Sequence, residues 1–272
     1  MKIGARAHDY GRQSAASLFK KMNADGFDTM QLACKKVLTG VTETCDITQE
    51  LLTEIKTELA KNALTVGVYG SYVELGLVDE KSRAAQAADL IAQLPKARFL
   101  AAGCVASETT SRAAQPCATQ NEAMAALRKS LCEILPAAEN ARVIVAVEPV
   151  ESQTLCTPEL TRALLKDMKS PWLRVVFDPV NLVTADTLLT QQNLWQRAFD
   201  CFGDAIVAVH LKGAARDAQG ILVSTDLEHS AIDWNFLAAQ LKQCGSELPI
   251  LREGLDPEIA KQECAWMRRM MG

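Results

Sequence analysis

Four successive apolar segments in the second half of the chain each end on a residue that can bind a metal. They are 143–148, which ends on Glu148, 173–178, which ends on Asp178, 205–210, which ends on His210, and 249–253, which ends on Glu253. Their aliphatic and β-branched residues predict strands buried on both faces, as in a parallel sheet. A charged or polar residue at the same end of four buried strands needs a chemical reason, because an unpaired charge beside a core is costly.

The rest of the chain continues this alternation of strands and helices. Further strands are predicted over 2–7, 27–33, 64–70 and 97–103, and helices over 14–23, 48–60, 80–94, 121–135, 158–169, 187–202, 233–244 and 257–270. About eight strands that alternate with about eight helices predict an α/β fold, a closed (β/α)8 TIM barrel with residues 1–272 as a single domain. The alternative is a doubly wound open sheet, but residues 7–11 lack its usual glycine-rich phosphate turn. Pro136 is expected to end the helix 121–135 there or soon after.

Composition argues against several other classes of protein. The formal net charge of −4 gives no sign of a basic nucleic-acid-binding surface. No apolar run reaches the roughly 18 residues that a membrane span needs, and residues 1–6 show no signal-peptide core. The nine cysteines are scattered, odd in number and without a C-x-x-C pair, which favours free thiols in a reducing compartment. We therefore expect a cytoplasmic protein without nucleic-acid or membrane partners.

The four strand-end residues have a composition typical of a metal site. Three carboxylates and one imidazole form a hard, oxygen-rich set that suits Mn²⁺ or Mg²⁺, with Co²⁺ or Zn²⁺ as alternatives. Any one of them alone has a simpler interpretation, since a strand-terminal Asp or Glu often caps a helix and a lone His is often a neutral hydrogen-bonding group. In a (β/α)8 barrel all four would lie on one rim and point toward one centre.

The sequence around these residues resembles a known superfamily. The segments that carry the resemblance are Val145-Ala146-Val147-Glu148-Pro149, Val176-Phe177-Asp178-Pro179-Val180-Asn181-Leu182, Val209-His210-Leu211-Lys212-Gly213 and Leu251-Arg252-Glu253. They are similar to the xylose isomerase-like sugar isomerase/epimerase superfamily, and most of all to its ketose 3-epimerases. The resemblance implies one divalent metal ion held by Glu148, Asp178, His210 and Glu253. It also implies that Glu148 and Glu253 are the catalytic acid/base pair, and that the chain self-associates as a dimer or tetramer.

Four further residues are candidates for binding the substrate. The resemblance implies that Arg216 contacts substrate oxygens, although an exposed loop arginine is an equal alternative. Asn181 stands where the sugar epimerases often have His, so it could bind a substrate hydroxyl but could not carry a proton. His8, after the first strand, is either a substrate contact or a loop histidine bound to backbone. Lys212 either points to the rim or stacks inside the barrel near His210.

Two segments depart from the pattern of the epimerases. The stretch after Glu148 has no clear equivalent of their additional glutamate, and the segment 103–108 matches nothing in their motifs. Tyr72 and Glu74 either line the pocket or cap the next helix. Cys104 could be a nucleophile, but no histidine is tied to it by any pattern, so a buried thiol is the better interpretation.

The function predicted from these residues is metal-dependent isomerisation or epimerisation of a small ketose or related sugar, by proton transfer through an enediolate. The first alternative is an inosose-type dehydratase, in which the same enediolate expels a hydroxyl group. An abasic-site endonuclease shares this barrel but needs more histidines than the three present. A non-catalytic sugar-binding barrel is the remaining alternative.

Overall fold

The chain folds as a closed barrel of eight parallel strands, and the computed structural model describes residues 1–272. The barrel strands are β1 (Lys2–Arg6), β2 (Thr29–Leu32), β3 (Thr65–Gly70), β4 (Cys104–Glu108), β5 (Val145–Glu148), β6 (Leu173–Phe177), β7 (Ile206–Leu211) and β10 (Pro249–Arg252). A short antiparallel hairpin, β8 (Gly213–Arg216) with β9 (Leu222–Thr225), is inserted between β7 and β10. Successive barrel strands are neighbours, and β1 closes the ring against β10. The predicted (β/α)8 fold is confirmed.

Helices cover the outside of the barrel. They are α1 (Ala15–Ala24), α2 (Cys34–Val37), α3 (Gln49–Lys61), α4 (Glu80–Phe99), α5 (Gln120–Ala141), α6 (Pro158–Met168), α7 (Gln191–Phe202), α8 (Trp234–Cys244) and α9 (Ala260–Met271). Several begin at an N-cap whose side chain accepts a hydrogen bond from the first turn, as Thr48 does in α3 and Asp79 in α4. None of the helices combines the length and the apolar character that crossing a bilayer requires.

The barrel interior is packed with small and aliphatic side chains. A layer of seven buried residues fills it: Val68, Cys104, Ala106, Ala146, Val176, Ala208 and Leu251. A Cβ atom added at Gly4 would lie 2.3 Å from the carbonyl oxygen of Thr29, so the backbones approach too closely there for any side chain. The strand-end residues lie next to this packed layer, at the C-terminal ends of the strands.

The predicted fourth strand, 97–103, is wrong. Helix α4 continues through Pro95 to Phe99, and the true strand is Cys104–Glu108. A short apolar run cannot be assigned to a strand or to a buried helix from its periodicity alone. Here Leu94 and Ala97 are buried in the core, and this packing keeps the last turn helical despite the proline.

The next helix also continues past its predicted end at residue 135 and contains Pro136 in its interior. Helix α5 continues to Ala141, and Arg142 follows it in the left-handed conformation with φ 52°. Leu135 and Ala138 are buried on either side of the proline. Tertiary packing of this apolar face therefore outweighs the one backbone hydrogen bond that proline removes.

All nine cysteines are free thiols, and no disulfide is present. Cys104 lies on β4 inside the barrel, where burial raises the pKa of its thiol to about 12. A thiol with that pKa stays protonated at neutral pH and is a poor nucleophile. The interpretation of Cys104 as a buried thiol agrees with this environment.

Candidate metal centre

The four strand-end residues converge at the C-terminal face of the barrel. Glu148 ends β5, Asp178 follows β6, His210 lies near the end of β7, and Glu253 follows β10. Each offers one ligand atom, and these atoms all lie within 4.8 Å of one another. Asp178 is fully buried, and Glu148 and His210 are 5% and 2% exposed. Three carboxylates this close together and this well buried require neighbouring positive charge.

The orientation of His210 is set by Gln31, which lies on β2 across the barrel. Nε2 of His210 is 2.6 Å from Oε1 of Gln31. The amide nitrogen of Gln31 donates to the hydroxyl of Tyr72 at 2.8 Å, so its oxygen is the atom that faces the histidine. Nε2 of His210 therefore carries a proton and donates it, so Nδ1 is the ring atom that is left to bind a metal. This is the arrangement in which a histidine is oriented by its outer partner to bind a metal.

The Nδ1 atom of His210 points at two carboxylates. It lies 3.2 Å from Oε2 of Glu148 and 3.2 Å from Oε2 of Glu253. It is buried and makes no hydrogen bond, and the same is true of Oδ2 of Asp178. The other oxygen of Asp178 accepts hydrogen bonds from the backbone of Val180 and Asn181, which directs Oδ2 toward the cluster.

Burial and the neighbouring charges shift the pKa values of the residues in the cluster. Burial raises the pKa of Glu148 and that of Asp178, because a buried carboxylate loses its hydration. Burial opposes a charge on His210 as well, but the carboxylates of Glu148 and Glu253 outweigh it and raise the pKa of His210 to about 10. A divalent cation at the centre would take the place of that imidazole proton.

These residues fit a divalent metal ion. Nδ1 of His210 and Oδ2 of Asp178 are buried atoms without a hydrogen-bond partner, which is how ligand atoms are left when a site is built for a metal. Among Gln31, Tyr72, Glu148, His210 and Glu253 lies a cavity of about 10 Å³, roughly the room that one water or small ion needs. Three oxygens and one imidazole nitrogen suit a hard or borderline divalent cation.

Comparison with known proteins identifies the family. The model of the family described as xylose isomerase-like TIM barrel matches residues 19–270. The chain belongs to this family. No curated protein sequence matches the chain.

Three solved structures are similar in fold to this chain. The 3-keto-D-glucoside 4-epimerase of E. coli is 16% identical with a TM-score of 0.77, and the alignment covers 99% of each chain. A xylose isomerase-like TIM barrel protein of Mycobacterium smegmatis in complex with magnesium is 16% identical with a TM-score of 0.74, over 99% of this chain and 96% of that one. The probable 3-DHS dehydratase of Bacillus anthracis is 14% identical with a TM-score of 0.73, over 98% and 99%.

Two of the predicted substrate-binding residues lie at the cluster of this xylose isomerase-like barrel. Lys212 donates to Oε1 of Glu253 at 3.1 Å and also to Oδ1 of Asn181, and its Nζ is 3.3 Å from Oδ2 of Asp178. Asn181 in turn donates to Oε1 of Glu148 at 2.7 Å. Burial opposes the charge of Lys212, but the carboxylates of Asp178 and Glu253 outweigh it and raise its pKa. The structure thus places Lys212 at the rim rather than in the barrel interior.

The other two predicted substrate-binding residues lie farther out. Arg216 is exposed at the end of β8, and its guanidinium donates to the carbonyl of Ala185 rather than to any residue of the cluster. His8 lies in the short turn after β1, with Nε2 3.2 Å from the hydroxyl of Tyr72. Burial and the charge of Arg6 lower the pKa of His8 to about 4, so its ring is neutral at pH 7. His8 is connected to His210 by a chain of hydrogen bonds that runs through Tyr72 and Gln31.

Three residues near the centre were missed by the sequence analysis. Gln31 orients His210, and Nη1 of Arg6 lies 3.2 Å from Oε1 of Glu253. Glu108 ends β4 and lines the same small cavity as the cluster. Only Glu108 carried a usable signal, because it too is a carboxylate at the end of an apolar strand.

Replacing Gln31 by Ala should weaken Mn²⁺ binding by about 10–100-fold, the usual effect of losing the outer partner of a metal-bound histidine. Without the Oε1 acceptor, the proton of His210 is free to move to Nδ1 and block the ligand atom. Isothermal titration with Mn²⁺ measures the change. Gln31→Glu keeps an acceptor oxygen at this place and should retain more of the affinity than Gln31→Ala. Equal affinities in the parent and in Gln31→Ala would contradict the role of Gln31.

Proposed function

We propose that this protein is a divalent-metal-dependent isomerase or epimerase of a small ketose or related sugar. The observation that carries the proposal is the convergence of Glu148, Asp178 and Glu253 around Nδ1 of His210. The similarity of the fold to a sugar epimerase supports the reaction class. Mn²⁺ and Mg²⁺ are the proposed ions, with Co²⁺ and Zn²⁺ as alternatives.

The proposed reaction needs a charged group to stabilise an enediolate and carboxylates to move a proton. A divalent ion held by the four residues would neutralise the negative charge that develops on the carbonyl oxygen. Glu148 and Glu253 are the proposed proton-transfer groups, because Oε2 of each faces the centre. Their Oε1 atoms accept hydrogen bonds from Asn181 and Lys212 respectively. Removal of the proton on one face and its return on the other would invert the carbon, whereas return to the neighbouring carbon would isomerise the sugar.

A wider cavity beside the cluster is the proposed place for the rest of the substrate. Its volume is about 270 Å³, just below the usual range of small-molecule sites. Asn181 and Lys212 line its inner end, while the hairpin β8–β9 and the loops after β5 and β6 supply the walls. We propose that Asn181 and Lys212 contact substrate hydroxyls there. Arg216 and His8 stay proposed substrate contacts that would have to leave their present partners.

The test combines metal content with hydrogen exchange. Elemental analysis of the parent protein should find one divalent ion per chain, and His210→Ala should lose it, since that change removes the only nitrogen ligand. The Mn²⁺-loaded parent should then exchange a carbon-bound hydrogen of its ketose substrate for deuterium in D₂O. Loss of water from the substrate would instead favour the dehydratase alternative. Tight sugar binding without exchange would favour a non-catalytic barrel, and absence of a bound ion would remove the basis of the proposal.

A further inference from the structure

The carboxylate of Glu108 shares the small cavity with the proposed metal ligands. Glu108 is the last residue of β4, in register with Glu148 on the neighbouring strand. The residues that line the cavity with it include Tyr72, His210 and Glu253. Glu108 is not part of the group whose ligand atoms lie within 4.8 Å of one another. It therefore borders the centre without belonging to the ligand set.

The closed ring of strands places Glu108 opposite Glu253. The four ligands come from consecutive strands of the ring, β5, β6, β7 and β10. Strand β4 is four positions from β10 in either direction around the ring of eight, so the two strands stand on opposite sides. A molecule that binds at the centre would thus have Glu253 on one side and Glu108 on the other.

One oxygen of Glu108 has no partner in the protein. Oε2 accepts a hydrogen bond from the side chain of Gln153, which is held in turn by Thr109. No group of the chain donates to Oε1. The outer oxygens of Glu148 and Glu253, in contrast, are held by Asn181 and Lys212. Glu108 therefore presents a free, charged acceptor beside the cavity, and such an acceptor binds a hydroxyl donor strongly.

The surroundings of Glu108 are unfavourable for an anion. Arg6 forms salt bridges with Asp9 and Glu253, and the ammonium group of Lys212 lies close to oxygens of Asp178, Asn181 and Glu253. Lys36 is exposed, and its ammonium group lies 3.2 Å from the centre of the Tyr72 ring. The charge of Glu108 acts against the burial that lowers the pKa of Lys36, but no salt bridge joins the two side chains. Close to Glu108 lies a second carboxylate, Glu74, whose pKa burial and the charge of Glu108 raise. A phosphate or carboxylate at this place would meet the negative charge of Glu108.

We propose that Glu108 binds the substrate opposite Glu253, accepts a hydrogen bond from a substrate hydroxyl, and selects an uncharged polyhydroxy carbonyl compound over a phosphorylated or carboxylated one. This inference rests on the proposed function and narrows its substrate class. Glu108 is then a specificity-determining residue that lies outside the ligand set.

Two metal-chelating probes test the proposal without a known substrate. Glycolohydroxamate and phosphoglycolohydroxamate both chelate a divalent ion through the hydroxamate, and they differ by a phosphate on the free hydroxyl. Isothermal titration of the Mn²⁺-loaded parent should show about 10-fold tighter binding of the neutral probe, the size expected for one hydrogen bond to a charged group. Glu108→Gln keeps the shape but removes the charge, and it should bring the ratio of the two affinities close to 1. The exposed Glu139→Gln should leave the ratio unchanged.

The possible results distinguish a failure of this inference from a failure of the proposed function. Equal or tighter binding of the phosphorylated probe by the parent would overturn the inference, and so would a ratio that stays the same in Glu108→Gln. Weaker Mn²⁺ binding by Glu108→Gln would indicate that Glu108 is a metal ligand, and this result would also overturn the inference. Absence of Mn²⁺ binding in the parent would contradict the proposed function, and the inference that rests on it.

Discussion

Glu148→Gln and Glu253→Gln should each slow deuterium exchange into the substrate by about 10²–10⁴-fold, the usual contribution of a general acid or base. Glutamine keeps an oxygen that can approach the ion, but its amide cannot accept the proton. Loss of one carboxylate also changes the charge that surrounds His210. The measurement is exchange in D₂O by NMR, with the metal content of each variant determined in parallel so that loss of the ion is not mistaken for loss of the base.

The matched control for these variants is Glu159→Gln. Glu159 is an exposed carboxylate on α6 that pairs with Arg197 on the outside of the barrel, 2.8 Å away. It should keep the exchange rate of the parent. Full exchange in a metal-loaded Glu148→Gln or Glu253→Gln protein would show that the altered residue is a ligand and not a proton carrier.

Glu263→Ala should lower the free energy of unfolding by about 3–5 kcal/mol, because it leaves a buried arginine without its counter-charge. Glu263 lies on α9 and accepts a hydrogen bond from Nε of Arg252 at 2.6 Å, with the two side chains 5% and 3% exposed. Its other oxygen accepts from the backbone of Leu227, just after the hairpin β8–β9. Arg252 also donates to the carbonyl of Glu253, so the pair joins the last barrel strand to the terminal helix beside the centre.

Urea unfolding followed by circular dichroism measures this effect. The control is Asp167→Ala, which breaks the exposed pair with Arg128 and should cost no more than about 1 kcal/mol. Replacing both members of the buried pair, as Arg252→Met with Glu263→Leu, should recover much of the stability, since no charge is then left unpaired. A loss for Glu263→Ala as small as that for Asp167→Ala would contradict the burial argument.

The four candidate ligands could be found from the sequence because they follow a local rule. Each stands at the end of an apolar strand, and the C-terminal ends of parallel barrel strands meet at one rim. Glu108 follows the same rule, yet it was missed because residues 97–103 were assigned to the strand. That error came from an apolar helix end, where Leu94 and Ala97 pack into the core. Periodicity over so few residues does not distinguish the two structures.

The sequence by itself determined the repeating alternation of strand and helix, the buried character of the strands and the polar residues at their ends. These properties depend on residues close together in the chain, and they imply the barrel and its rim. Only the tertiary structure decided that Gln31 holds His210, 179 positions away, and that Arg6 and Lys212 share an oxygen of Glu253. Closure of the ring also decided which strands stand opposite each other. Such contacts are made between side chains brought together by the fold, so no local pattern of residues encodes them.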